Sequence, residues 1–306
     1  MRKIYGIGET VYDIIFKDGA PQAAKPGGSV LNAMVSLGRA GLPVSFISEY
    51  GRDDIGSLID GFLIKNGVDT SCVYRYSDVS TSLAVAFLDD KNDAHYTFYK
   101  ERPEKRLETE FPRVGSEDIL LFGSFFSVAA EVRNKLKDFT EKATRAGSLV
   151  IYDPNFRKPH IAELRDLLPL MVENMKMASL VRGSDEDFRN IAGATDEDEA
   201  WEFVREYCNC MVYTASTGGV YVRTKTFSGK FPVKKINPVS TIGAGDNFNA
   251  GIVASIFSNG FSKEDLPEMG EEQWREIVSA GVDFATEVCM SYENYISPGF
   301  AGKYKF

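Results

Sequence analysis

The chain has 306 residues, of which 43% are hydrophobic, and a formal net charge of −9 at neutral pH. This length and apolar fraction suit one large α/β domain, or two, with a sizeable core. The acidic charge argues against a nucleic-acid-binding surface, which is normally basic, and no apolar run is long enough to span a membrane. The cysteines form no CxxC pair and the amino terminus shows no secretory pattern, so we expect reduced thiols in a cytoplasmic protein.

Strand and helix patterns alternate along the chain. Short apolar runs predict strands at 3–8, 43–49, 118–122, 148–153, 178–182 and 209–214. Apolar residues at helical spacing predict helices at 53–66 and 129–146, each followed by a glycine stop signal. The alternation predicts an α/β fold with a mainly parallel central sheet and helices on both faces. Ligands bind such sheets at the carboxyl ends of the strands.

Two stretches break this alternation. Residues 10–21 and 70–100 contain short extended segments with no helix between them. We interpret them as a small β lid over a ligand site, and the alternative is a β edge that merely extends the sheet. No repeat, low-complexity tract or linker divides the chain, so we predict a single domain over residues 1–306.

The first motif follows the opening strand. Asp13 comes soon after that strand, and residues 25–33 read Lys-Pro-Gly-Gly-Ser-Val-Leu-Asn-Ala. Gly27 and Gly28 lead into a helical apolar pattern, and Asn32 lies in its first turn, where its amide can point at whatever the glycines admit. Taken singly, the glycines could form a plain turn, Asn32 could be a solvated helix residue and Asp13 a loop charge.

The most informative segment is the last one. Residues 240–251 read Ser-Thr-Ile-Gly-Ala-Gly-Asp-Asn-Phe-Asn-Ala-Gly, so small residues precede Asp246 and a helical pattern follows. Such a turn presents unpaired backbone N–H groups to an anion, and the helix dipole favours negative charge there. A carboxylate beside that anion suits a base that takes a proton from a hydroxyl attacking a phosphate. The alternative is an ordinary helix start, since aspartate is also a good capping residue.

Together these segments resemble the two signatures of the ribokinase-like, or PfkB, family of sugar kinases. Gly-Gly-x-x-x-Asn is similar to the first signature, and Thr-x-Gly-Ala-Gly-Asp to the second, more specific one. Residues 153–157, Asp-Pro-Asn-Phe-Arg, resemble an element of the fructokinase-like branch. Residues 184–187 stand where the family has an acidic segment, and residues 214–219 where it has a nucleotide loop. The resemblance therefore covers essentially the whole chain.

The resemblance implies a ribokinase-like fold and phosphoryl transfer from ATP to a sugar hydroxyl. Asp246 would be the general base, and an aspartate with an ordinary pKa of about 3.9 is ionised at neutral pH. The backbone N–H groups of Gly243, Ala244 and Gly245 would form an anion hole for the transferring group. Mg²⁺ would bridge the phosphates and keep several of its waters.

The resemblance also implies binding residues. Sugar contacts carry over to Asp13, Gly27, Gly28 and Asn32, and nucleotide contacts to Ser184, Thr214 and Gly219. Arg157 would meet either the reacting end of the sugar or the phosphate. Asp187 is the candidate for holding Mg²⁺ through water. The alternative for Ser184 and Asp187 is a solvated helix cap, and the alternative for Arg157 is a surface salt bridge.

Three departures from the family pattern limit what carries over. Ser240 stands where many relatives have an aspartate that is associated with a monovalent-cation site, so potassium activation is in doubt. Ser216 stands where the nucleotide loop usually has its first glycine. Residues 289–299 are more polar and aromatic than the usual adenine-side loop, so nucleotide preference is less secure than phosphoryl transfer.

Several identities remain open within and beyond the family. The Asp-Pro-Asn-Phe-Arg element favours a fructokinase. A 2-keto-3-deoxygluconate kinase is the nearest competitor, and would use Arg102 or Arg157 for the carboxylate of the sugar acid. Some family members pair their lids, which implies a homodimer through the lid. A catalytically silent sensor of sugar or nucleotide is the alternative from another class, and an intact Asp246 argues against it because a binder needs no base.

Overall fold

The computed structural model describes residues 1–88 and 94–304. Its strands are β1 (Ile4–Ile7), β2 (Val11–Lys17), β3 (Ala20–Gly27), β4 (Val44–Gly51), β5 (Val68–Asp69), β6 (Val73–Tyr76), β7 (Leu83–Leu88), β8 (Ala94–Tyr99), β9 (Ile119–Gly123), β10 (Leu149–Asp153), β11 (Leu180–Ser184), β12 (Cys210–Thr214), β13 (Val220–Thr224) and β14 (Ser228–Phe231). Its α-helices are α1 (Ser29–Arg39), α2 (Asp54–Lys65), α3 (Ala130–Ala146), α4 (Leu164–Met177), α5 (Asp185–Ala192), α6 (Glu197–Val204), α7 (Ala244–Ser258), α8 (Glu271–Cys289) and α9 (Pro298–Ala301).

The central sheet is mainly parallel, as predicted. Its strand order is β14-β13-β12-β11-β10-β9-β1-β4-β5, and β6 also pairs with β4. Neighbouring strands from β5 to β12 run parallel, whereas β13 and β14 form an antiparallel hairpin at one edge. The six predicted strands all lie in this sheet with their ends within two residues of the observed ones.

Helices cover both faces of the sheet, which confirms the predicted layers. Alternate side chains of a strand point to opposite faces. In β9, Ile119 and Leu121 join the core cluster that contains residues of α1, α7 and α8. Leu120 and Phe122 join the other cluster, which contains residues of α3. Because both faces are buried, the strands are continuous apolar runs rather than alternating ones.

A second, four-stranded sheet has the order β3-β2-β7-β8 and supplies the predicted lid, with different bounds. From the stretch 70–100 only β7 and β8 belong to it, because β6 pairs in parallel with β4 of the central sheet. At the other end the lid extends through β3, which contains two prolines that argue against a strand. Prolines are tolerated there because β3 is an edge strand. Residues 89–93 of the predicted lid lie outside the described residues.

The fold brings two helix starts together at one end of the sheet. The helix α1 follows directly after the lid strand β3, and α7 follows the turn at Gly243. The two helices pack side by side, with α8 behind α7. Within residues 1–88 and 94–304, no helix has the length and apolar character needed to cross a bilayer.

Candidate active site

The two sequence motifs meet at Asp246. The Nδ2 atom of Asn32 on α1 donates a hydrogen bond of 2.8 Å to Oδ2 of Asp246 in the first turn of α7. Burial raises the pKa of Asp246 to about 6, while the bond from Asn32 and the positive charges of Arg157 and Arg182 act in the opposite direction. A carboxylate with this pKa is ionised at neutral pH and more basic than an exposed aspartate, which suits a general base.

Asn32 also offers a vacant acceptor in the same place. It is only 4% exposed, and its Oδ1 atom has no hydrogen-bond partner within the described residues. A buried polar atom without a partner is unfavourable unless a ligand or water completes it. The atom therefore fits a ligand hydroxyl that lies against Asp246.

The turn before α7 has the geometry of an anion site. Gly243 is the N-cap of α7 and has a φ of 78°, in the left-handed region that favours glycine. The first four N–H groups of a helix have no acceptor within the helix. Of the three predicted anion-hole amides, that of Ala244 donates to the Thr241 carbonyl at 3.2 Å. An anion bound at this turn would compete with that bond.

A buried ion pair lies beneath the turn. The Nη1 atom of Arg182 donates to Oδ2 of Asp153 at 2.8 Å, and Nη2 donates to Oγ1 of Thr214 at 2.7 Å. The Nδ2 atom of Asn249 donates to the same Asp153 oxygen at 2.6 Å. A Cβ atom at Gly245 would lie 3.0 Å from Nη1 of Arg182, so the glycine lets the turn rest on the guanidinium. The ion pair thus supports the anion-binding turn from below.

The paired glycines lie against the lid strand β2. A Cβ atom at Gly27 would lie 2.1 Å from Oδ2 of Asp13, and one at Gly28 would lie 2.3 Å from the carbonyl oxygen of Glu9. Gly28 also has a φ of 135°, which side-chain-bearing residues rarely adopt. Glycine is therefore required at both positions because no side chain would fit against Asp13 and Glu9, and not only because the chain turns there. The contact between Gly27 and Asp13 places the Asp13 carboxylate at the start of α1.

Asp13 has an unusual electrostatic environment. Burial raises its pKa to about 7, the ammonium group of Lys25 opposes this effect, and the negative charges of Glu9 and Asp246 add to it. The amide of Asn294 donates to Asp13 Oδ2 at 3.4 Å and lowers the pKa slightly. Two carboxyl groups with raised pKa values, Asp13 and Asp246, therefore share one cleft.

The acidic segment after β11 forms a helix cap. The Oδ2 atom of Asp187 accepts from the backbone N–H of Ser184 at 2.7 Å, and Oδ1 accepts from that of Phe156 at 2.7 Å. Both carboxylate oxygens are thus used within the chain, and Asp187 is a helix cap that is buried rather than solvated. No group of three or more His, Cys, Asp or Glu side chains in the described ranges is arranged to hold a metal ion.

The loop after β12 keeps a glycine-like backbone at a serine. Ser216 has a φ of 44° and Gly219 a φ of 111°. A positive φ at Ser216 is what a glycine at that position would provide without strain. Thr214 ends β12 and lies next to Arg182, so the loop starts beside the ion pair.

Arg157 lies exposed at the rim of the cleft, close enough to lower the pKa of Asp246.

The model of the pfkB family of carbohydrate kinases matches residues 1–297. This chain belongs to the pfkB family of carbohydrate kinases. It is therefore a phosphotransferase with an alcohol group as acceptor, and the predicted family is confirmed.

Curated relatives and solved structures agree with this family. The fructokinase of Escherichia coli is 27% identical over 268 residues, which are 86% of this chain and 87% of that protein. The fructokinase of Salmonella typhimurium is 28% identical over 263 residues, 84% and 85% of the two chains. The structure of fructokinase from Vibrio cholerae O395 with fructose, ADP and calcium has a TM-score of 0.85 at 19% identity, and covers 99% of this chain and 98% of that one.

A second solved structure holds a different ligand. Aminoimidazole riboside kinase from Salmonella enterica, complexed with aminoimidazole riboside and an ATP analog, has a TM-score of 0.83 at 19% identity over 100% of both chains. At this identity the likeness shows the fold alone, which is ribokinase-like. The predicted fold class is confirmed.

Sequence reasoning missed the buried groups that support the site of this pfkB kinase. Arg182 belongs to no motif that we recognised, and Asn249 and Asn294 lie in segments that we singled out without being assigned a role. A signal was present for Arg182, because a charged residue interrupts the apolar strand β11 and is 6% exposed. A charge inside a buried strand needs a partner, so Arg182 could have been flagged although its partner Asp153 could not.

Proposed function

We propose that this carbohydrate kinase transfers the γ-phosphate of Mg²⁺–ATP to a hydroxyl group of fructose. The observation that carries the proposal is the bond between Asn32 and Asp246. It places a carboxylate of raised pKa between an anion-binding helix start and a helix that begins beside Asp13. The experiment that tests it compares turnover on fructose with turnover on other acceptors, using Mg²⁺–ATP as donor.

The reaction proceeds by direct transfer. The acceptor hydroxyl gives its proton to Asp246 as its oxygen forms a bond to the γ-phosphorus, and the bond from that phosphorus to the bridging oxygen of ADP breaks. The amides of Gly243, Ala244 and Gly245, at the positive end of the α7 dipole, stabilise the charge on the transferring group. Such transfer depends mostly on positioning and electrostatics, which the packing of α1 against α7 provides.

The sugar binds between the lid and α1. Asp13 and the vacant Oδ1 atom of Asn32 accept hydrogen bonds from its hydroxyl groups, and Gly27 and Gly28 leave room for the ring. Closure of the lid sheet over the sugar excludes water, which would otherwise compete with the sugar hydroxyl as nucleophile.

The cations around the cleft favour a neutral sugar over a sugar acid. Arg102 pairs with Glu131 at 2.5 Å and its side chain is 80% exposed, so it points to α3 and solvent. Lys100 pairs with Glu9 at 2.9 Å, and Lys25 donates to the carbonyl of Tyr292. These groups are already occupied, and we assign Arg157 to the phosphates of ATP, whereas the carboxylate of 2-keto-3-deoxygluconate needs a cation that is available.

The nucleotide lies on the other side of Asp246. We assign its phosphates to the α7 turn and Arg157, and its remaining contacts to Ser184, Thr214 and Gly219. Mg²⁺ would arrive with ATP and would neutralise charge on the phosphates. Asp187, whose two oxygens both accept bonds within the chain, would hold it at most through water. Ser240 accepts a bond of 3.2 Å from the N–H of Ile242, and we assign no required monovalent cation to that position.

The use of ATP supports a cytoplasmic location. The four cysteines, which all lie in the described part of the chain, are buried and form no disulfide there. Buried reduced thiols are typical of a reducing compartment.

The value of kcat/KM for fructose is expected to decrease as the pH is lowered below about 7. Asp246 must be ionised to accept a proton, Asp13 binds hydroxyl groups best when ionised, and their pKa values are about 6 and about 7. Activity therefore appears as pH rises through this window, and since the two groups interact the apparent values belong to the pair. Steady-state kinetics from pH 5 to 9 measures the profile. The limiting acid slope should approach 2 in the wild type and 1 in Asp13→Asn, and a flat profile down to pH 5 would contradict the assignment.

We further propose that a second copy of the chain covers the outer face of the lid. Phe16 and Phe87 stack on that face with ring centroids 5.4 Å apart, and Phe87 is 48% exposed. Tyr99 on the same face is 62% exposed. Exposed aromatic side chains that share one face of a sheet mark association surfaces.

Phe87→Asp is expected to convert a dimer into a monomer, because a buried charge in an apolar interface is strongly unfavourable. Analytical ultracentrifugation at micromolar concentration measures the change. Leu58→Asp is the matched control, since Leu58 is 56% exposed on α2 outside the lid. A wild type that sediments as a monomer, or a dimer that survives Phe87→Asp, would refute this interface.

A further inference from the structure

The side chain of Asn247 joins three separate parts of the site. Asn247 follows Asp246 directly and is 0% exposed. Its Nδ2 atom donates to the carbonyl oxygens of Gly243 and Asn294, each at 2.8 Å. Its Oδ1 atom accepts from the hydroxyl of Ser36 on α1. The amide thus uses both of its donors and its acceptor inside the protein.

Two side-chain hydrogen bonds join α1 to α7. On α1, Ser36 lies one turn after Asn32, and these residues bond to Asn247 and Asp246 respectively. The Ser36 hydroxyl also accepts from the backbone N–H of Ile296 at 3.1 Å and is 0% exposed. The base and its neighbour are therefore both tied to the helix that begins at the sugar side.

The bond to Gly243 has a consequence for the anion site. A peptide group is planar, so the direction of the Gly243 carbonyl fixes the opposite direction of the Ala244 N–H. The carbonyl accepts from both the backbone N–H of Asn247, at 2.9 Å, and its Nδ2 atom. The second bond of the Asn247 amide, to the Asn294 carbonyl, holds the segment that packs against Gly243. A Cβ atom at Gly243 would lie 3.2 Å from that carbonyl oxygen.

We propose that Asn247 is a positioning residue for phosphoryl transfer. Its buried amide fixes the Gly243–Ala244 peptide and hence the direction of the Ala244 N–H, the donor that an anion at this turn would take over from the Thr241 carbonyl. This inference rests on the proposed kinase mechanism. Asn247 contacts neither the sugar nor ATP in this account, and it acts through the turn. A purely structural role would affect folding alone.

The test replaces Asn247 with the nearly isosteric leucine, which has no donor. Asn247→Leu is expected to lower kcat about 100-fold, because the Ala244 N–H is then no longer held in place and losing one preorganised donor to the reacting group has about this effect, while the Kd for fructose stays within about threefold. Ser36→Ala is the matched control, because it removes the bond to Oδ1 and leaves both Nδ2 bonds in place. It should lower the melting temperature but leave kcat within about threefold.

A second readout needs no turnover. Aluminium fluoride bound with ADP imitates the transferring phosphoryl group, so the ratio of ADP affinity with and without aluminium fluoride reports the anion site. This ratio should fall at least tenfold in Asn247→Leu and stay unchanged in Ser36→Ala. If Asn247→Leu does not fold, the double variant Ser36→Ala/Asn247→Leu, which leaves no buried serine hydroxyl unpaired, takes its place.

Two results separate this inference from the proposed function. A folded variant without the Asn247 amide that keeps both kcat and the aluminium fluoride ratio would overturn the positioning role. Absence of wild-type turnover on every sugar would overturn the proposed function, and the aluminium fluoride ratio would then decide on Asn247 alone.

Discussion

Replacing Asp246 by asparagine is expected to lower kcat by about 10²- to 10⁴-fold, the range that general-base catalysis contributes. Asparagine has the same shape and can keep a hydrogen bond with Asn32, but it cannot take up the proton of the sugar hydroxyl. Fructose binding should survive, because Asp13 and Asn32 are unchanged. A coupled assay of ADP release measures kcat, and calorimetry measures the Kd for fructose.

The stability of Asp246→Asn distinguishes lost chemistry from lost folding. The pKa of Asp246 is raised to about 6 in the folded protein, above the ordinary value of about 3.9. The carboxyl group thus favours folding below about pH 4, and that contribution is lost as pH rises through about 6. The variant should therefore melt no lower than the wild type at pH 8.

A surface carboxylate provides the control for Asp246→Asn. Asp265 accepts bonds from the backbone and hydroxyl of Ser262, each at 2.7 Å, at an exposed cap. Asp265→Asn should leave kcat unchanged. A kcat within tenfold of wild type in Asp246→Asn, with the protein folded, would show that Asp246 is not the base.

Gly27→Ala is expected to raise the KM for fructose at least tenfold. The new methyl group would lie 2.1 Å from Oδ2 of Asp13, so the carboxylate must rotate away from the sugar. Loss of a charged hydrogen-bond partner typically costs about 1.5–3 kcal/mol, which corresponds to about a tenfold to hundredfold loss of affinity. Steady-state kinetics with varied fructose at saturating ATP measures the effect.

Gly61→Ala is the matched control for this substitution. A Cβ atom at Gly61 in α2 would meet no atom within 4 Å, and alanine favours a helix by about 1 kcal/mol over glycine. The control should raise the melting temperature slightly and leave KM unchanged. An unchanged KM in Gly27→Ala would mean that Asp13 does not bind the sugar.

The parts of the fold that were predictable are those that local sequence determines. The strand β9 reads as an unbroken apolar run because both of its faces are buried. The helix α3 ends where Gly147 adopts a φ of 94°, a conformation that glycine favours strongly. The approach of Asn32 to Asp246 could be expected only from the family resemblance, since no local pattern relates two residues so far apart.

The rest depended on tertiary packing. The two prolines in β3 argue against a strand, and only its edge position in the lid sheet makes them tolerable. The pair Arg182–Asp153 joins the middle of β11 to the end of β10, and Ser36 meets Asn247 across 211 positions of sequence. Such contacts follow from which helices and strands become neighbours, which composition and periodicity do not specify.

The most direct measurement is the rate of ADP release with Mg²⁺–ATP on fructose, 2-keto-3-deoxygluconate, ribose and adenosine, run beside Asp246→Asn. We predict the highest kcat/KM on fructose and its loss in the variant. A higher kcat/KM on 2-keto-3-deoxygluconate would keep the mechanism and contradict the fructokinase assignment. No turnover on any acceptor, with sugar binding intact by calorimetry, would contradict the catalytic account and favour a sensor.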